Sequence, residues 1–393
     1  MLTIKRVGLA GGAVALAVLS VLLASPRANA ATVSDIGAAI VVWPKIVAET
    51  GVTDTTVQVM NLDRTSQTAA HCFYVNANSH CTNSGDVCTS SLHCIDGEFR
   101  GACVPGWVET NFDIILTPNQ PLAWNALDGL GGSDIPCPGT FGSKCTGNQG
   151  TRVPPITESP FIGELKCIQT DRITRLPVEC GGGGQPACEN DLAGSATIID
   201  ISEGQVDPKT YNAVGLRTAG ANDGDGTLNL GDPDGTGGPE NAEYEPCAEV
   251  LILNHLFDGA EDPISESYTA SSELTLVPCT EDFVAQSTPP VTAQFLVYNE
   301  FEQRFSTSRT VRCLLDSELS RIDTSQPDRS IFNASVAGTV AGQTRIRGVG
   351  GGLLGSALLS FCTTADCDAL KAGAGYNLNG FADRSDGDVI RIP

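Results

Sequence analysis

An all-β fold, arranged as two antiparallel β-sandwiches in tandem, is predicted by three observations on the 393-residue sequence. First, short runs rich in Val, Ile, Thr and Phe recur between Gly, Pro, Asn and Asp: "AAIVVWPKIV", "TTVQVMNL", "AHCFYV", "NFDIILT", "GSATIIDI", "VTAQFLVYN", "RTVRCLL" and "DVIRIP". β-Branched and aromatic residues framed by turn formers are the pattern of antiparallel strands. Second, no segment sustains a helical period of useful length. The best candidate, "AEVLILNHLF", has a continuous apolar centre that suits a buried strand equally well. Third, the chain repeats itself in order.

The repeat runs as follows. "VVWPKIVAETGVTDTTVQVMN" (41–61) aligns with "TLVPCTEDFVAQSTPPVTAQFLVYN" (275–299), each followed by a polar turn and a strand carrying a cysteine, Cys72 or Cys313. Further on, "NFDIILTPNQ" resembles "FNASVAGTVAGQ", and "FIGELKC" resembles "LLGSALLSFC". This predicts two sandwiches of an immunoglobulin-like kind, over residues 31–268 and 269–393, with Cys72 meeting Cys313 on superposition. The first is enlarged by disulfide-tied insertions and an acidic loop at 219–246, and loops of that length are where activity concentrates.

Residues 1–30 read as a secretory signal peptide. Lys5 and Arg6 precede the apolar run "VGLAGGAVALAVLSVLLA", and "SPRANA" sets Ala28 and Ala30 at the small-residue positions before Ala31. The later apolar patch "GGLLGSALLSF" is far short of the roughly 20 residues that cross a bilayer, so no transmembrane segment is expected in the mature chain. Cleavage removes Lys5, Arg6 and Arg27 and no acid, leaving 20 basic residues against 46 acidic, a net −26. That balance argues against nucleic acid and anionic lipid as partners, since both are bound through Lys and Arg. A protein or glycan partner of unknown identity is expected, in the periplasm, at the cell surface or outside the cell.

All 15 cysteines lie in the mature part and none is spaced C-x-x-C, which points to disulfides rather than haem attachment or a redox motif. The expected pairs are Cys72 with Cys167, Cys137 with Cys145, Cys180 with Cys188, Cys247 with Cys279, and Cys313 with Cys362. Cys81, Cys88, Cys94 and Cys103 form a separate knot with three possible connectivities, and Cys367 is the odd thiol. His71, His80 and His93 each precede a cysteine, but no ligand pair has zinc spacing, and neighbouring side chains on a strand point to opposite faces.

Catalytic patterns are sparse. Gly350, Gly352 and Gly355 match G-x-G-x-x-G without a βαβ context, and read as a glycine turn. His255 with Asp258 is the one histidine–carboxylate candidate, and Asn333-Ala-Ser335 is a glycosylation sequon. Within "GANDGDGTLNLGDPDG" (220–235), Asp223, Asp225, Thr227, Asn229 and Asp232 occupy positions 3, 5, 7, 9 and 12 of a twelve-residue loop with Gly226 at position 6. The stretch resembles the dockerin or EF-hand type of calcium loop, with Ala221 where the first ligand belongs and Asp at position 12 in place of Glu. The resemblance implies calcium as a ligand, with Asp234 or a water supplying the missing oxygen. The expected function is an exported, non-enzymatic structural or interaction protein, calcium-stabilised. The alternative is a secreted hydrolase acting on glycans through two carboxylates.

Overall fold

The computed structural model describes residues 36–393 except 84–87, 89–93, 97–98, 105, 132–151, 179, 181–187, 201–206, 222–224, 233–241, 265, 324, 326–328 and 364–369. The signal segment and the Cys137 and Cys145 pair lie outside the described residues. The described chain is all-β. It forms 25 strands, with a three-residue 3-10 turn at Leu319–Arg321 and a four-residue helix at Ala334–Ala337. No helix among the described residues is long and apolar enough to cross a membrane.

Five sheets carry the architecture. The first has the order β13 (Val214–Leu216), β1 (Ile40–Ala48), β10 (Phe161–Thr170), β3 (Thr68–Asn76), β8 (Val108–Leu116). The second is β12 (Asp207–Asn212), β11 (Leu192–Asp200), β2 (Thr53–Asn61), β9 (Pro121–Asn125). The third is β14 (Thr227–Leu230), β25 (Asp388–Arg391), β17 (Glu281–Asp282). The fourth is β19 (Arg304–Val311), β18 (Val291–Asn299), β21 (Ala341–Val349), β15 (Ala248–Leu256), β24 (Asn379–Asp383). The fifth is β20 (Leu315–Glu318), β16 (Thr269–Pro278), β22 (Leu353–Cys362), β23 (Leu370–Asn377). Two small ladders, β4 (His80–Cys81) with β7 (Cys103–Val104) and β5 (Ile95–Asp96) with β6 (Phe99–Arg100), complete the set. Among these pairs β17 with β25 is parallel.

Three apolar clusters tie the sheets together. Trp43 and Ile46 of β1 and Leu165 of β10 meet Val57, Val59, Trp124, Ala196 and Ile198 of the second sheet. Alternate residues of the same strands, Ile40, Val42 and Ile168, point the other way and meet Leu228, Leu230, Ile390, Val277 and Leu354. The first sheet is therefore covered on both faces, which is why "IVVWPKIVA" lacks the polar–apolar alternation of a strand with one face in water. The third cluster joins Leu251, Phe295, Val297 and Ile346 of the fourth sheet to Leu274, Leu276, Leu353 and Ala357 of the fifth. Each buried Val, Leu, Ile or Phe side chain among these contributes about 1.5–3 kcal/mol.

The internal repeat is preserved in part. β1 pairs antiparallel with β10 as β16 does with β22, and β2 pairs with β9 as β18 does with β21. The third correspondence fails. β3 adds to β10 in the first sheet, whereas β19 adds to β18, the counterpart of β2. The cause lies in the side chains: "TAAHCFYVN" is buried along nearly its whole length, while "RFSTSRTV" alternates and can only lie at an edge. β15, which precedes the expected division at 268/269, lies between β21 and β24 in the fourth sheet, so strands from both sides of that division share one sheet.

Candidate functional site

The disulfides come first, because they fix the loops where a site was expected. The expected Cys72–Cys167, Cys180–Cys188 and Cys247–Cys279 bridges form, and the knot resolves into Cys81–Cys94 and Cys88–Cys103. The expected Cys313–Cys362 bridge does not form. Cys313 is a buried free thiol and Cys362 is disulfide-bonded elsewhere; Cys367, the expected odd thiol, lies outside the described residues. Register explains the failure. Cys362 is opposite Thr269 at one end of β16, whereas Leu315, two residues after Cys313, is opposite Leu276 at the other. That separates the two cysteines by about 20 Å, against the roughly 7 Å that a disulfide spans.

The acidic loop is not wound as an ion cage among its described residues. Thr227 and Asn229 lie within β14, laddered to Arg391 and Val389, so Asp225 and Asp232 fall at opposite ends of an extended segment. Four strand residues span about 10 Å, whereas ligands of one calcium ion sit within 2.3–2.6 Å of it. Asp225 accepts the Thr227 N–H at 2.6 Å and Gly226 takes φ +82°, a local turn that enters the strand. Asn229's carbonyl accepts the N–H groups of Glu243 and Tyr244. Asp223 and Asp234 lie outside the described residues.

Among the described residues the histidines lie apart from one another. His71 contacts Asp113 at 2.8 Å, His80 lies in the β4–β7 ladder, and His93 is outside the described residues. The close groups of potential metal ligands, Cys81 with Cys88 and Cys94 and Cys247 with Cys279 and Asp388, have their sulfurs in disulfides. His255 is buried and held neutral, its pKa pushed down to about 4 by desolvation; Nδ1–H donates to the Leu256 carbonyl at 3.0 Å and Nε2 contacts the Thr344 hydroxyl at 2.9 Å. Asp258 is turned to the Ser272 and Ser320 N–H groups at 2.7 and 2.8 Å, with burial raising its pKa to about 6. In the Gly350–Gly355 segment, Gly350 needs φ +90°, and a Cβ on Gly352 would lie 2.4 Å from the Asp388 carboxylate and 3.0 Å from the Cys279 sulfur.

Among the described residues, cavities open on the surface. One of about 600 Å³ is lined by Asn254, His255, Tyr298, Glu300, Gln343 and Tyr376, and its one carboxylate is Glu300. Another of about 540 Å³ holds Asp128 and Arg152.

The most unusual chemistry is internal, and sequence reasoning missed it. Two lysines of the first sheet are buried with acids of the second half. Lys45 Nζ reaches Asp316 at 2.7 and 2.9 Å and Glu273 at 2.7 Å, and Thr275 donates to the same Asp316 carboxylate. Burial pulls its pKa down, but the two carboxylates outweigh burial and leave it raised. Lys166, on the central strand β10, contacts Glu281 of β17 and lies 3.6 Å from Glu164, two residues back on the same strand face. Phe283 places its ring 5.6 Å from the same nitrogen and stacks on Phe73 at 4.1 Å. Both oxygens of Glu164 and Oε1 of Glu281 are buried without a hydrogen-bond partner. Burial drives the Lys166 ammonium down and the Glu164 carboxyl up, each toward its neutral form. A faint signal existed in "GELKC": charges at i and i+2 put both on one face of a strand whose neighbours, "IVVWPKIVA" and "TAAHCFYVN", are mostly apolar. No protein-family model matches the chain, and no curated protein matches it either.

Proposed function

We propose that the chain is an exported, non-enzymatic structural or interaction protein, built as two immunoglobulin-like β-sandwiches fused into one stiff unit that presents disulfide-braced loops to a protein or glycan partner. The first sandwich comprises the first and second sheets, the second the fourth and fifth from Ala248 onward. The observation that carries this reading is the junction: an apolar cluster drawn from both halves, flanked by Lys45 with Asp316 and Glu273 and by Lys166 with Glu281. Burying charges is costly unless they are paired, and here both pairs cross between the halves. A molecule that acts by bending between domains has little use for such a seam.

The hydrolase alternative requires two carboxylates about 5–10 Å apart facing one cleft. The larger cavity offers Glu300 and the smaller Asp128. Two measurements on the mature chain test the proposal. Scanning calorimetry is expected to give one cooperative transition, and two well-separated transitions would mean that the halves are hinged modules. Incubation with a polysaccharide panel is expected to release no reducing ends, and turnover on any of them would transfer the chain to the enzymes.

A further inference from the structure

We propose that the Lys166 amine and the Glu281 carboxyl condense into an intramolecular isopeptide bond, with Glu164 relaying the proton, so that β10 of the first sheet becomes covalently joined to β17 of the third. The bond is a modification the chain makes on itself, and it stands independently of whether the scaffold reading is right.

Three features of the geometry support it. The reacting groups are already in contact, and both are held by strands: Lys166 lies opposite Phe73 and Val42 in the middle of the first sheet, and Glu281 opposite Ile390 in the third. Fixing two reactants in a near-attack arrangement removes most of the entropy that a bimolecular amide synthesis costs. Water is excluded, since Lys166, Glu164 and Glu281 are each at most 2% exposed and the Phe283 ring beside Lys166 is itself packed against Phe73 and Trp107. A dry site suppresses hydrolysis of the amide and favours the uncharged forms that react. Finally, Glu164 is poised beside the nitrogen with both oxygens uncommitted, as a proton relay requires. The Cys313 thiol shares this pocket, but burial pushes its pKa up to about 12, so it remains a thiol and does not compete as a nucleophile.

The chemistry closes without any other reactant. A proton passes from the Lys166 ammonium to the Glu281 carboxylate, giving a neutral amine and a neutral acid. The lone pair on Nζ attacks Cδ of Glu281, forming the N–C bond and a tetrahedral centre. Protonated Glu164 donates its proton to the departing hydroxyl oxygen and accepts one from the attacking nitrogen. The Cδ–OH bond breaks and one water leaves, so Glu164 ends protonated as it began. Nothing is oxidised or reduced.

The test is the intact mass of the purified chain, denatured and fully reduced, with the N-terminus determined on the same sample. The expected mass is lower than that of the sequence by one water, and proteolysis should yield a branched peptide joining the Lys166 segment to the Glu281 segment. Lys166→Arg, which keeps the charge but has no amine to condense, should have the full sequence mass. Glu164→Gln should fold and stay unlinked, whereas Glu281→Gln should still link, with loss of ammonia in place of water. A wild-type chain at its full sequence mass would overturn the proposal, and so would a branch at Glu164 in place of Glu281.

Discussion

Lys45 and Lys166 sit on neighbouring strands of one sheet, each buried and each facing two carboxylates, yet they come to opposite electrostatic ends. Lys45 is held as an ammonium and Lys166 is driven toward an amine. Charge count is equal, so water decides. Around Lys45 the Glu273 side chain is 35% exposed and Asp316 11%, while around Lys166 the Glu164 and Glu281 side chains are 3% and 0% exposed. An ion pair with one end in water keeps its charge cheaply, whereas a sealed one gains by neutralising or by reacting. The lesson is that an acid–base cluster becomes chemistry or mere cohesion according to the last few square ångströms of access.

The largest effect is expected for Lys166→Met. It strands two buried acids, which costs about 3–5 kcal/mol. It also removes a link that closes a loop across a sequence separation of 115, a further loss of about 4–5 kcal/mol by chain entropy. Urea unfolding measures both, and a midpoint near wild type would erase the contrast between the two lysines. Lys45→Met should cost about 3 kcal/mol, the low end for a broken buried pair, because Glu273 can turn to solvent. A larger loss than that of Lys166→Met would invert the comparison.

The next effect depends on pH. His255 has its pKa depressed to about 4 in the folded chain against 6.5, so the unfolded chain binds more protons between those values. Its contribution to stability is present above pH 6.5 and is lost as pH falls toward 4, by about 3 kcal/mol. Asp258 runs the other way, its raised pKa adding stability below 3.8 that is lost as pH rises through about 6, so wild type hides both slopes. In His255→Gln the deficit relative to wild type should therefore shrink by about 3 kcal/mol between pH 6.5 and 4. A deficit that is constant with pH would show that the ring is charged in the folded state. The smallest effect is expected from calcium: with β14 separating Asp225 from Asp232, millimolar calcium against chelator should leave the melting midpoint within about 1 °C, because only a site that binds well below that concentration stabilises by mass action.

Strand identity was legible because it is written in local composition, and "TTVQVMNL", "VTAQFLVYN" and "DVIRIP" are all strands. Short disulfide loops were legible for the same reason: Cys180 and Cys188 can reach little else. What local pattern cannot carry is which sheet a strand joins. β19 carries a cysteine just beyond its end as β3 carries one within, and that likeness suggested a shared place, yet the alternating exposure of "RFSTSRTV" sends it to an edge and leaves Cys313 unbridged. The same blindness concealed Lys166. "FIGELKC" alternates as a strand with one wet face does, and only the third and fifth sheets, supplied by residues far along the chain, turn that polar face inward.

The third sheet sets the order in which the molecule can be finished. β25 lies between β14 and β17, antiparallel to one and parallel to the other, and both partners precede it in the chain by more than a hundred residues. Until β25 emerges, the row of backbone amides on β14 and the two residues of β17 have no ladder to complete, and the apolar seam around Leu228, Leu230 and Phe283 lacks Ile390. Such high contact order slows folding and lengthens the time for which strand edges can recruit the wrong neighbour. Assembly of the seam thus waits for β25, which acts as a latch: a chain interrupted before Asp388 is denied the Lys166 pocket as well, because β25 is the strand that steadies Glu281.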